Sequence, residues 1–465
     1  MKKRAKWVSF GLFLCLVLLV GAQSAFAAFE FADGRVYLTG FFENLTAVRL
    51  QDAGMNDRGN LNMFRNTLQM ETTLKFNPNF SFFTIIRGNY EGMWDLDNSL
   101  DARPEHRHGM PKGDHMKRNL DLREWYFTLL VQDFTIKIGR QQVIWGESDA
   151  LRMADIINPL DLSWHWVFED WENIRVPLRM INIKYEPALL AEYQFRAELV
   201  WIPEDFRAQV FAPEGGVWSI PGLPQIIWDQ ERREIPDQHN LKNSEFGARV
   251  RAVLGDWEFS IFDFYNRVDN AVYTFDPNHA PLPLRFEWPR VNIVGGTFNY
   301  FDQFTKTVFR GEMAYTMDQP HNSIFMDRVI DKDTVAFMLG FDRPTFITWL
   351  NPTRTFFISG QWFHKQILDF DRDITTAEMD RSEYWNVVSL LINTQYYHDY
   401  ITPQVLFVHD FSGNGFIHPS LQYAPSDRWA VTLGAIFIHG QDNSDGLWGP
   451  VRTNDEVYLR LRIKF

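Results

Sequence analysis

The chain is 465 residues long and has a formal net charge of −13, 45% hydrophobic residues and 16% aromatic residues. An acidic chain of this kind is a poor candidate for binding nucleic acid, whose phosphates attract basic surfaces. Its apolar content excludes intrinsic disorder. No linker rich in glycine, serine or proline divides it, so the sequence predicts one folded domain, although the length would allow two or three.

The N-terminus has the features of a cleaved secretory signal peptide. A basic start at residues 2–6 precedes an apolar stretch over residues 7–20, and Ala25-Phe26-Ala27 supplies the pattern at which signal peptidase cleaves. The apolar stretch is short for a membrane-spanning helix of ~20 residues, so an uncleaved anchor is the weaker alternative. Loss of residues 1–27 would remove Cys15, the sole cysteine, and four cations, lowering the charge from −13 to −17. Residues 28–465 would then form the exported domain, without thiol or disulfide chemistry.

The predicted mature chain contains no run of eighteen apolar residues, which excludes transmembrane helices. A backbone in lipid must pair all its polar groups. An exported, aromatic-rich chain without such helices can therefore enter a membrane only as a closed β-barrel. The predicted location is the outer membrane of a Gram-negative bacterium, where lipid and the barrel-insertion machinery would be its partners.

The last residues show the clearest strand pattern. Apolar side chains at positions 457, 459, 461, 463 and 465 alternate with the polar side chains of Tyr458, Arg460, Arg462 and Lys464. Alternation with a period of two directs one set toward lipid and the other toward a wet lumen. A soluble amphipathic strand would alternate in the same way. A chain that ends in Phe465 after this pattern, however, is similar to the C-terminal signal that the insertion machinery recognises.

Similar alternation predicts an all-β transmembrane barrel of eighteen antiparallel strands, with sixteen as the alternative. In chain order the strands are predicted near residues 35–50, 64–77, 80–92, 119–132, 134–145, 178–187, 191–203, 244–255, 257–268, 291–303, 305–316, 334–346, 353–366, 385–398, 400–412, 416–424, 428–440 and 455–465. The signals near 291–303 and 416–424 are the weakest.

The connections between these strands alternate in length. Tight turns are predicted after even-numbered strands, at residues 77–79, 132–133, 186–188, 255–256 and 423–427. Long segments are predicted after odd-numbered strands, at residues 93–118, 146–177, 204–243, 269–290, 317–333 and 367–384. Short turns at one end and long loops at the other are typical of outer-membrane barrels, with both chain termini on the periplasmic side.

Alternation also predicts a basic wall inside the barrel. In the eighth strand Phe246, Val250 and Leu254 point outward, so that Arg249 and Arg251 face the lumen. The same rule assigns to this wall Lys137, Lys184, Arg249, Arg251, Arg310, Arg460, Arg462 and Lys464, with Glu124, Glu245 and Glu312 among them.

Residues 147–175, by contrast, contain seven carboxylates against two cations. We therefore predict that residues 147–176 fold into the lumen as a constriction, with their acids facing the basic wall. A transverse field of this kind selects polar or charged solutes. In the alternative interpretation the acids form a solvated extracellular surface.

Aromatic side chains are concentrated in two of the long segments. They are Trp145, Trp164, Trp166, Phe168 and Trp171 in the first, and Trp218 and Trp228 in the second. Girdles at the two membrane interfaces account for some aromatic residues of such a barrel. The loop aromatics could instead line a mouth for hydrophobic or sugar-like substrates, so polar and apolar channels both stay open at this point.

Residues 139–149 read GRQQVIWGESD and residues 155–162 read DIINPLDL, followed by Glu169-Asp170 and by IRVPL at 174–178. This pattern resembles a widespread, functionally uncharacterised family of proteobacterial exported proteins, known as a domain of unknown function. Ser148 departs mildly from the small or acidic residue expected there. The resemblance covers most of the chain and implies a porin-like outer-membrane barrel. It also implies a partnership with RND-type exporters and hydrophobic-compound metabolism, and it assigns no catalytic residue.

Within this motif several residues are candidates for holding the segment inside the barrel. They are Arg140, Gln142, Trp145, Glu147, Asp149, Asp155, Asn158 and Asp161. Asn158-Pro159 and its neighbouring aspartates are also typical turn residues, so a structural role is favoured over substrate contact.

The sequence favours a channel for small molecules, hydrophobic or amphipathic compounds among them, over an enzyme. It contains no Gly-x-Ser-x-Gly elbow, P-loop or dinucleotide motif, and no cofactor is predicted. His106, His108 and His115 share one loop with acidic residues, but their spacing fits no defined metal site. Two alternatives remain: a scaffold barrel around a periplasmic partner, such as an exporter component or a redox protein, and, less favoured, a surface hydrolase.

Overall fold

The chain forms a closed antiparallel barrel of eighteen strands. The structure is a computed structural model, and it describes residues 29–52, 58–96, 117–165, 169–213, 217–218, 224–237, 239–376, 381–440 and 446–465. The barrel strands are β1 (Val36–Arg49), β2 (Leu61–Asn77), β3 (Phe80–Glu91), β4 (Arg118–Val131), β5 (Phe134–Gln141), β6 (Leu178–Tyr185), β7 (Arg196–Ile202), β8 (Glu245–Leu254), β9 (Trp257–Arg267), β10 (Arg290–Asp302), β11 (Thr307–Ser323), β12 (Val329–Thr345), β13 (Phe356–Ile367), β14 (Tyr384–Asn393), β15 (Ile401–Asp410), β16 (Asn414–Ser426), β17 (Trp429–His439) and β18 (Glu456–Lys464). The predicted signal peptide lies outside the described residues.

Closure of the ring occurs between the last strand and the first. Each strand pairs with its neighbour in the sequence, and β18 pairs with β1 over a register that runs from Phe41 opposite Lys464 to Arg49 opposite Glu456. A closed ring leaves no strand edge with unpaired backbone groups, which is what a barrel in lipid requires. The prediction of eighteen strands is confirmed, and the alternative of sixteen is wrong.

Several predicted boundaries differ from the structure, and the fourteenth strand, for example, ends at Asn393 rather than at residue 398. The fifth strand ends at Gln141 rather than at residue 145. The seventh begins at Arg196 rather than at residue 191, because Ala188–Tyr193 form a 3-10 turn that ends at Gln194 in the left-handed conformation. Residues 317–333 are not a long loop, because they extend β11 and β12 into a hairpin whose register shifts between Thr316 and Gln319. Polar residues in this extension gave it the appearance of a loop.

The outer surface of the barrel is apolar. Alternate strand residues expose large side chains, such as Leu120, which is 80% exposed, and Ile261, which is 69% exposed. Near the short turns this surface is rich in aromatic side chains, namely Phe76, Phe134, Trp257, Phe301, Tyr423 and Trp429. An apolar band bordered by aromatic residues is typical of a lipid-facing barrel wall.

The connections carry little regular structure. Short helices lie at Met93–Leu96, Trp171–Ile174 and Gln225–Glu234, and further 3-10 turns lie at Leu241–Asn243 and Gly449–Val451. Short strands outside the eighteen lie at Phe29–Phe31, Asp161–Leu162, Val210–Phe211, Val272–Phe275, Leu284–Glu287 and Ile374–Thr375. Among the described helices, none has both the length and the apolar composition to cross a membrane.

Two hydrophobic clusters fill part of the barrel interior and join the long loops to the wall. The first surrounds Trp145 and includes Phe262 and Phe264, and the second includes Trp218 and Phe363. Trp145 and Trp218 are almost completely buried, and so is Trp228. These tryptophans therefore serve as core and do not line an accessible mouth. Trp166 and Phe168 lie outside the described residues.

The closing seam generates a test of barrel assembly. The Gly40 amide donates to the Phe465 carbonyl at 2.9 Å, and the Phe465 amide donates to the Gly40 carbonyl at 3.0 Å. A Cβ atom on Gly40 would lie 2.2 Å from the carbonyl oxygen of Gln69 and 2.8 Å from Cζ of Phe465. Gly40→Val should therefore lower the yield of folded barrel by forcing β1 away from β2 and β18, at a cost of roughly 1–3 kcal/mol. The measurement is heat-modifiable migration on gels and the urea midpoint of unfolding.

Gly88→Val is the matched control, because it also adds a side chain to the lipid-facing wall. Its Cβ would meet only Cδ1 of Leu120 within 4 Å, at an ordinary 3.8 Å. Equal folded yields of the two variants would show that the seam does not limit assembly.

Candidate functional site

One long connection, residues 142–177 between β5 and β6, is here named the inner segment. Its two ends are joined through Asn158, whose side chain is completely buried. The Asn158 Oδ1 accepts from the Val143 amide at 2.8 Å, and its Nδ2 donates to the Val176 carbonyl at 2.9 Å. A nearby ion pair joins Asp155 to Arg175 at 2.7 Å. One amide side chain thus supplies hydrogen bonds to both ends of a segment that has little secondary structure of its own.

The tip of the inner segment, residues 147–154, is bound by one carboxylate of the barrel wall. Glu312 on β11 accepts from the Glu147 amide at 2.6 Å, the Ser148 hydroxyl at 2.8 Å, the Met153 amide at 3.1 Å and the Ala154 amide at 3.2 Å. Glu312 is almost completely buried. A buried carboxylate surrounded by backbone N–H donors forms strong, charge-assisted hydrogen bonds, so Glu312 fixes the position of the tip.

Two further wall residues hold the same tip. Arg310 forms an ion pair with Asp149 and donates through Nη1 to the Glu147 carbonyl at 2.7 Å. Gln361 on β13 donates to the Asp149 carboxylate at 2.8 Å and accepts from the Asp149 amide at 3.2 Å. The tip is therefore attached to β11 and β13 by both its side chains and its backbone.

The other end of the inner segment reaches a different part of the wall. Glu169 forms an ion pair with Arg65 on β2, and Asp170 lies 3.4 Å from Arg462 and 3.7 Å from Arg460 on β18. Burial opposes ionisation of Glu169, but Arg65, Arg460 and a nearby histidine outweigh it and hold the pKa of this carboxyl below its usual range. Glu169 is therefore a buried anion that cations of the wall stabilise.

These two attachments lie on opposite sides of the barrel. Strands β2 and β11 are nine places apart in a closed ring of eighteen. Glu312 and Arg460 also lie well inside their strands rather than at the ends of them. The inner segment consequently crosses the barrel interior from wall to wall at the depth of the strands.

The start of the inner segment is held by neighbouring strands. Arg140 donates to the Pro177 carbonyl at 3.1 Å and pairs with Asp121 at 2.8 Å. Gln142 donates to the Glu124 carboxylate at 3.0 Å. Trp145 donates from its indole nitrogen to Glu198 at 3.1 Å.

The predicted motif residues thus fall into two groups. Arg140, Gln142, Trp145, Glu147 and Asp149 contact the wall or its strands. Asp155 and Asn158 brace the segment internally, as does Asp161, which accepts from the Ser163 amide at 3.1 Å in its own turn.

Sequence reasoning placed Glu312 in the lumen but did not identify it as the partner of the tip, and it missed Arg65 and Gln361. The sequence did indicate that these residues are polar and lie at inward-facing strand positions, where they could contact a loop in the lumen. Their partners are distant in sequence, however, and spacing alone does not identify them.

Two cavities lie beside the inner segment. The larger, of about 280 Å³, is here named the basic cavity, and the smaller has about 130 Å³. The basic cavity is lined by Lys137, Gln141, Gln142, Val143, Ile144, Glu147, Asn182, Lys184, Arg196, Glu198, Arg249 and Arg251. The smaller cavity lies on the side of β1 to β5 and includes Arg65, Arg87, Arg123 and Arg140. Seven of the eight cations predicted as a basic wall therefore lie in two places: four line the basic cavity, and Arg310, Arg460 and Arg462 pair with acids of the inner segment.

Metal binding has no support in the part of the chain that the structure describes. It contains no group of three or more histidine, cysteine, aspartate or glutamate side chains able to hold an ion. His106, His108 and His115 lie outside the described residues.

The eighteen-stranded closed ring, the apolar outer surface and the charged interior together define a porin-like transmembrane β-barrel. The chain belongs to the family described as "Protein of unknown function (DUF1302)", whose profile matches residues 6–465. No curated protein matches the chain in sequence.

Solved structures of several barrels are similar in fold. OccAB3 of Acinetobacter baumannii is 8% identical with a TM-score of 0.51, over 92% of this chain and 99% of that one. OpdK of Pseudomonas aeruginosa, solved with vanillate, is 9% identical with a TM-score of 0.50, over 92% and 98% of the two chains. OccK9 (OpdG) of Pseudomonas aeruginosa is 9% identical with a TM-score of 0.52, over the same shares. At these identities the likeness is one of fold.

The contacts of Glu312 predict that Glu312→Gln releases the tip. The variant keeps the size of the side chain but replaces a carboxylate that accepts four hydrogen bonds with a neutral amide, at a cost of roughly 1–3 kcal/mol. Trypsin should then cleave after Arg152 roughly ten times faster than in the wild type, because the tip opens more often. Limited proteolysis of the folded protein, with mass spectrometry of the fragments, measures this rate.

Glu258→Gln is the control for this experiment. Glu258 is also a strand glutamate inside the barrel, but its ion pair is with Arg251 rather than with the tip. If both variants resist trypsin as the wild type does, Glu312 does not hold the tip.

Proposed function

We propose that this protein is an outer-membrane channel for small solutes and that the inner segment is its constriction. The observation that carries the proposal is the attachment of the inner segment to opposite walls, through Glu169 to Arg65 on β2 and through Glu147 to Glu312 on β11. A chain that crosses the lumen at this depth reduces the cross-section available to a solute, and long loops of barrels commonly have such functional roles.

The charges along this crossing favour polar or charged solutes. Asp149 and Asp170 lie on the inner segment, and Arg310 and Arg462 face them from the wall. These contact ion pairs give the crossing a polar, charged lining, and a lining of this kind favours polar solutes over apolar ones.

A passage for wholly apolar compounds has less support. Of the tryptophans considered for an apolar mouth, Trp145, Trp218 and Trp228 are packed in the core. Trp164 and Trp171 are half-buried, and Trp164 lines the smaller cavity. The cavities beside the inner segment are lined largely by charged and amide side chains. Charged or amphipathic solutes therefore fit the interior better. A partnership with an RND-type exporter stays a prediction from the family resemblance.

The decisive experiment compares the conductance of the wild type with that of a barrel whose tip is removed. Residues 146 and 155 are adjacent, since a Cβ on Gly146 would lie 2.8 Å from the Asp155 nitrogen. Deletion of 147–154 can thus rejoin the chain with little displacement, and Glu312→Gln in the same variant avoids an unpaired buried carboxylate. We expect discrete wild-type openings in planar bilayers, and a conductance at least about twofold higher for the deletion, because a wider constriction passes more ions.

Asp149→Asn in the full-length chain is the matched control. It removes a charge and the ion pair with Arg310, but the four hydrogen bonds that Glu312 accepts from the tip remain. Ion selectivity should therefore change while the conductance stays near that of the wild type. Folded protein must first be verified by heat-modifiable migration. Equal conductance of the wild type and the deletion would overturn the constriction, and a silent folded wild type would overturn the channel.

A further inference from the structure

The basic cavity lies toward the short turns of the barrel, because Lys184 and Arg196, at the ends of β6 and β7, line it. The inner segment covers its other side with Gln142, Val143, Ile144 and Glu147. A further cavity of about 290 Å³ lies against the 186–196 connection and shares Arg196 and Arg251 with the basic cavity. The two cavities are therefore neighbours and are here named together the recess, which extends from the inner segment toward the end of the barrel predicted to face the periplasm.

Three of the five cations in the basic cavity are neutralised by nearby acids. The pairs are Lys184 with Glu198 at 3.6 Å, Arg196 with Glu186 at 2.6 Å, and Arg251 with Glu258 at 2.6 Å. Cations in such pairs support the wall and have little charge left for a ligand.

The other two cations, Lys137 and Arg249, have no carboxylate within ion-pair distance among the described residues. Lys137 lies over the ring of Tyr126, with Nζ 4.8 Å from the ring centroid. Arg249 donates through Nη1 to the Ile144 carbonyl at 3.4 Å, and its buried Nε has no acceptor in the described part of the chain. Two positive charges with unused donors in one recess attract an anion, and a guanidinium suits a carboxylate because it can bind both oxygens.

An apolar side chain lies next to these charges. Ile144 is 51% exposed although it belongs to the inner segment, and it lines the basic cavity together with Val143. Gln141 and Asn182 also line this cavity, but their amide nitrogens already donate to the Met180 carbonyl and to Glu198. The recess thus offers two cations for a charged group and an apolar surface for the rest of a ligand. Its volume limits that ligand to a small molecule.

We propose that the basic cavity is a binding site for small organic monocarboxylates with a short apolar body, with Lys137 and Arg249 binding the carboxylate and Ile144 contacting the apolar body. The proposal rests on the channel function, since the cavity lies directly beside the constriction and would hold such a solute after its passage. It narrows the substrate class from small solutes in general to amphipathic anions.

The test uses the full-length protein, with hexanoate and acetate as probes. The main variant is Lys137→Gln combined with Arg249→Gln. The matched control is Arg328→Gln combined with Lys332→Gln, which removes an equal number of positive charges from the β11–β12 hairpin. In that hairpin Arg328 pairs with Asp327 and Asp373. Binding is measured by the thermal shift of detergent-purified protein, and passage is measured separately by the block of single-channel current.

Hexanoate should stabilise the wild type and the control variant equally, and its binding to the Lys137/Arg249 variant should be roughly tenfold weaker, as expected from the loss of charge-assisted hydrogen bonds. Equal hexanoate binding by all three proteins would overturn the site. The single variant Lys137→Gln is a second test, because Lys137 is half-exposed and its substitution disturbs the fold less than the double substitution does. It should also bind hexanoate more weakly than the wild type.

Ile144→Ser tests the apolar part of the site. The wild type should bind hexanoate roughly tenfold more tightly than acetate, because the longer chain buries additional methylene groups. The variant should lose most of this preference while it still binds acetate, and an unchanged preference would overturn the role of Ile144.

The two readouts separate the two proposals. If hexanoate binds as expected but the folded wild type passes no current, the channel function fails and the binding site stands. If current flows and hexanoate neither binds nor blocks, the channel stands and the carboxylate site fails.

Discussion

The requirement that every backbone N–H and C=O group finds a partner in lipid determines the architecture of this protein. Eighteen strands meet it only because β18 returns to β1, where Phe465 pairs with Gly40 at the end of the chain. Closure has a second consequence, because a ring of this size encloses more space than its own inward side chains fill. The protein fills part of that space with its own loops, and the inner segment depends on the ring for its anchors.

The inner segment is ordered by side chains rather than by secondary structure. Asn158 takes the place of backbone partners at its ends, and Glu312 does the same at its tip. These contacts are buried, so the loss of either partner would leave polar groups without compensation, which costs much more than the loss of a surface hydrogen bond. The position of the inner segment is therefore well defined, as its proposed role as a constriction requires.

The barrel interior contains apolar clusters, which stabilise the loops, and charged regions, where the proposed solute contacts lie. Aromatic side chains such as Trp145 and Trp218 pack the loops against the wall, whereas cations such as Arg310 and Arg462 are paired with acids. Lys137 and Arg249 have no such acid within ion-pair distance among the described residues, and both line the basic cavity. Maintaining unpaired cations at a buried site is costly, and such sites are where ligand binding is expected.

The sequence by itself determined the strands and the two faces of the wall, because alternation with a period of two is a local property of each strand. It therefore predicted the ring of eighteen and the basic side chains inside it, including Arg249 and Lys137. Only the tertiary structure decided that Glu312 binds the tip, that Trp218 is core, and that residues 317–333 extend a hairpin. These outcomes depend on contacts between residues far apart in the chain, and a local pattern does not specify which inward-facing side chain will meet which loop.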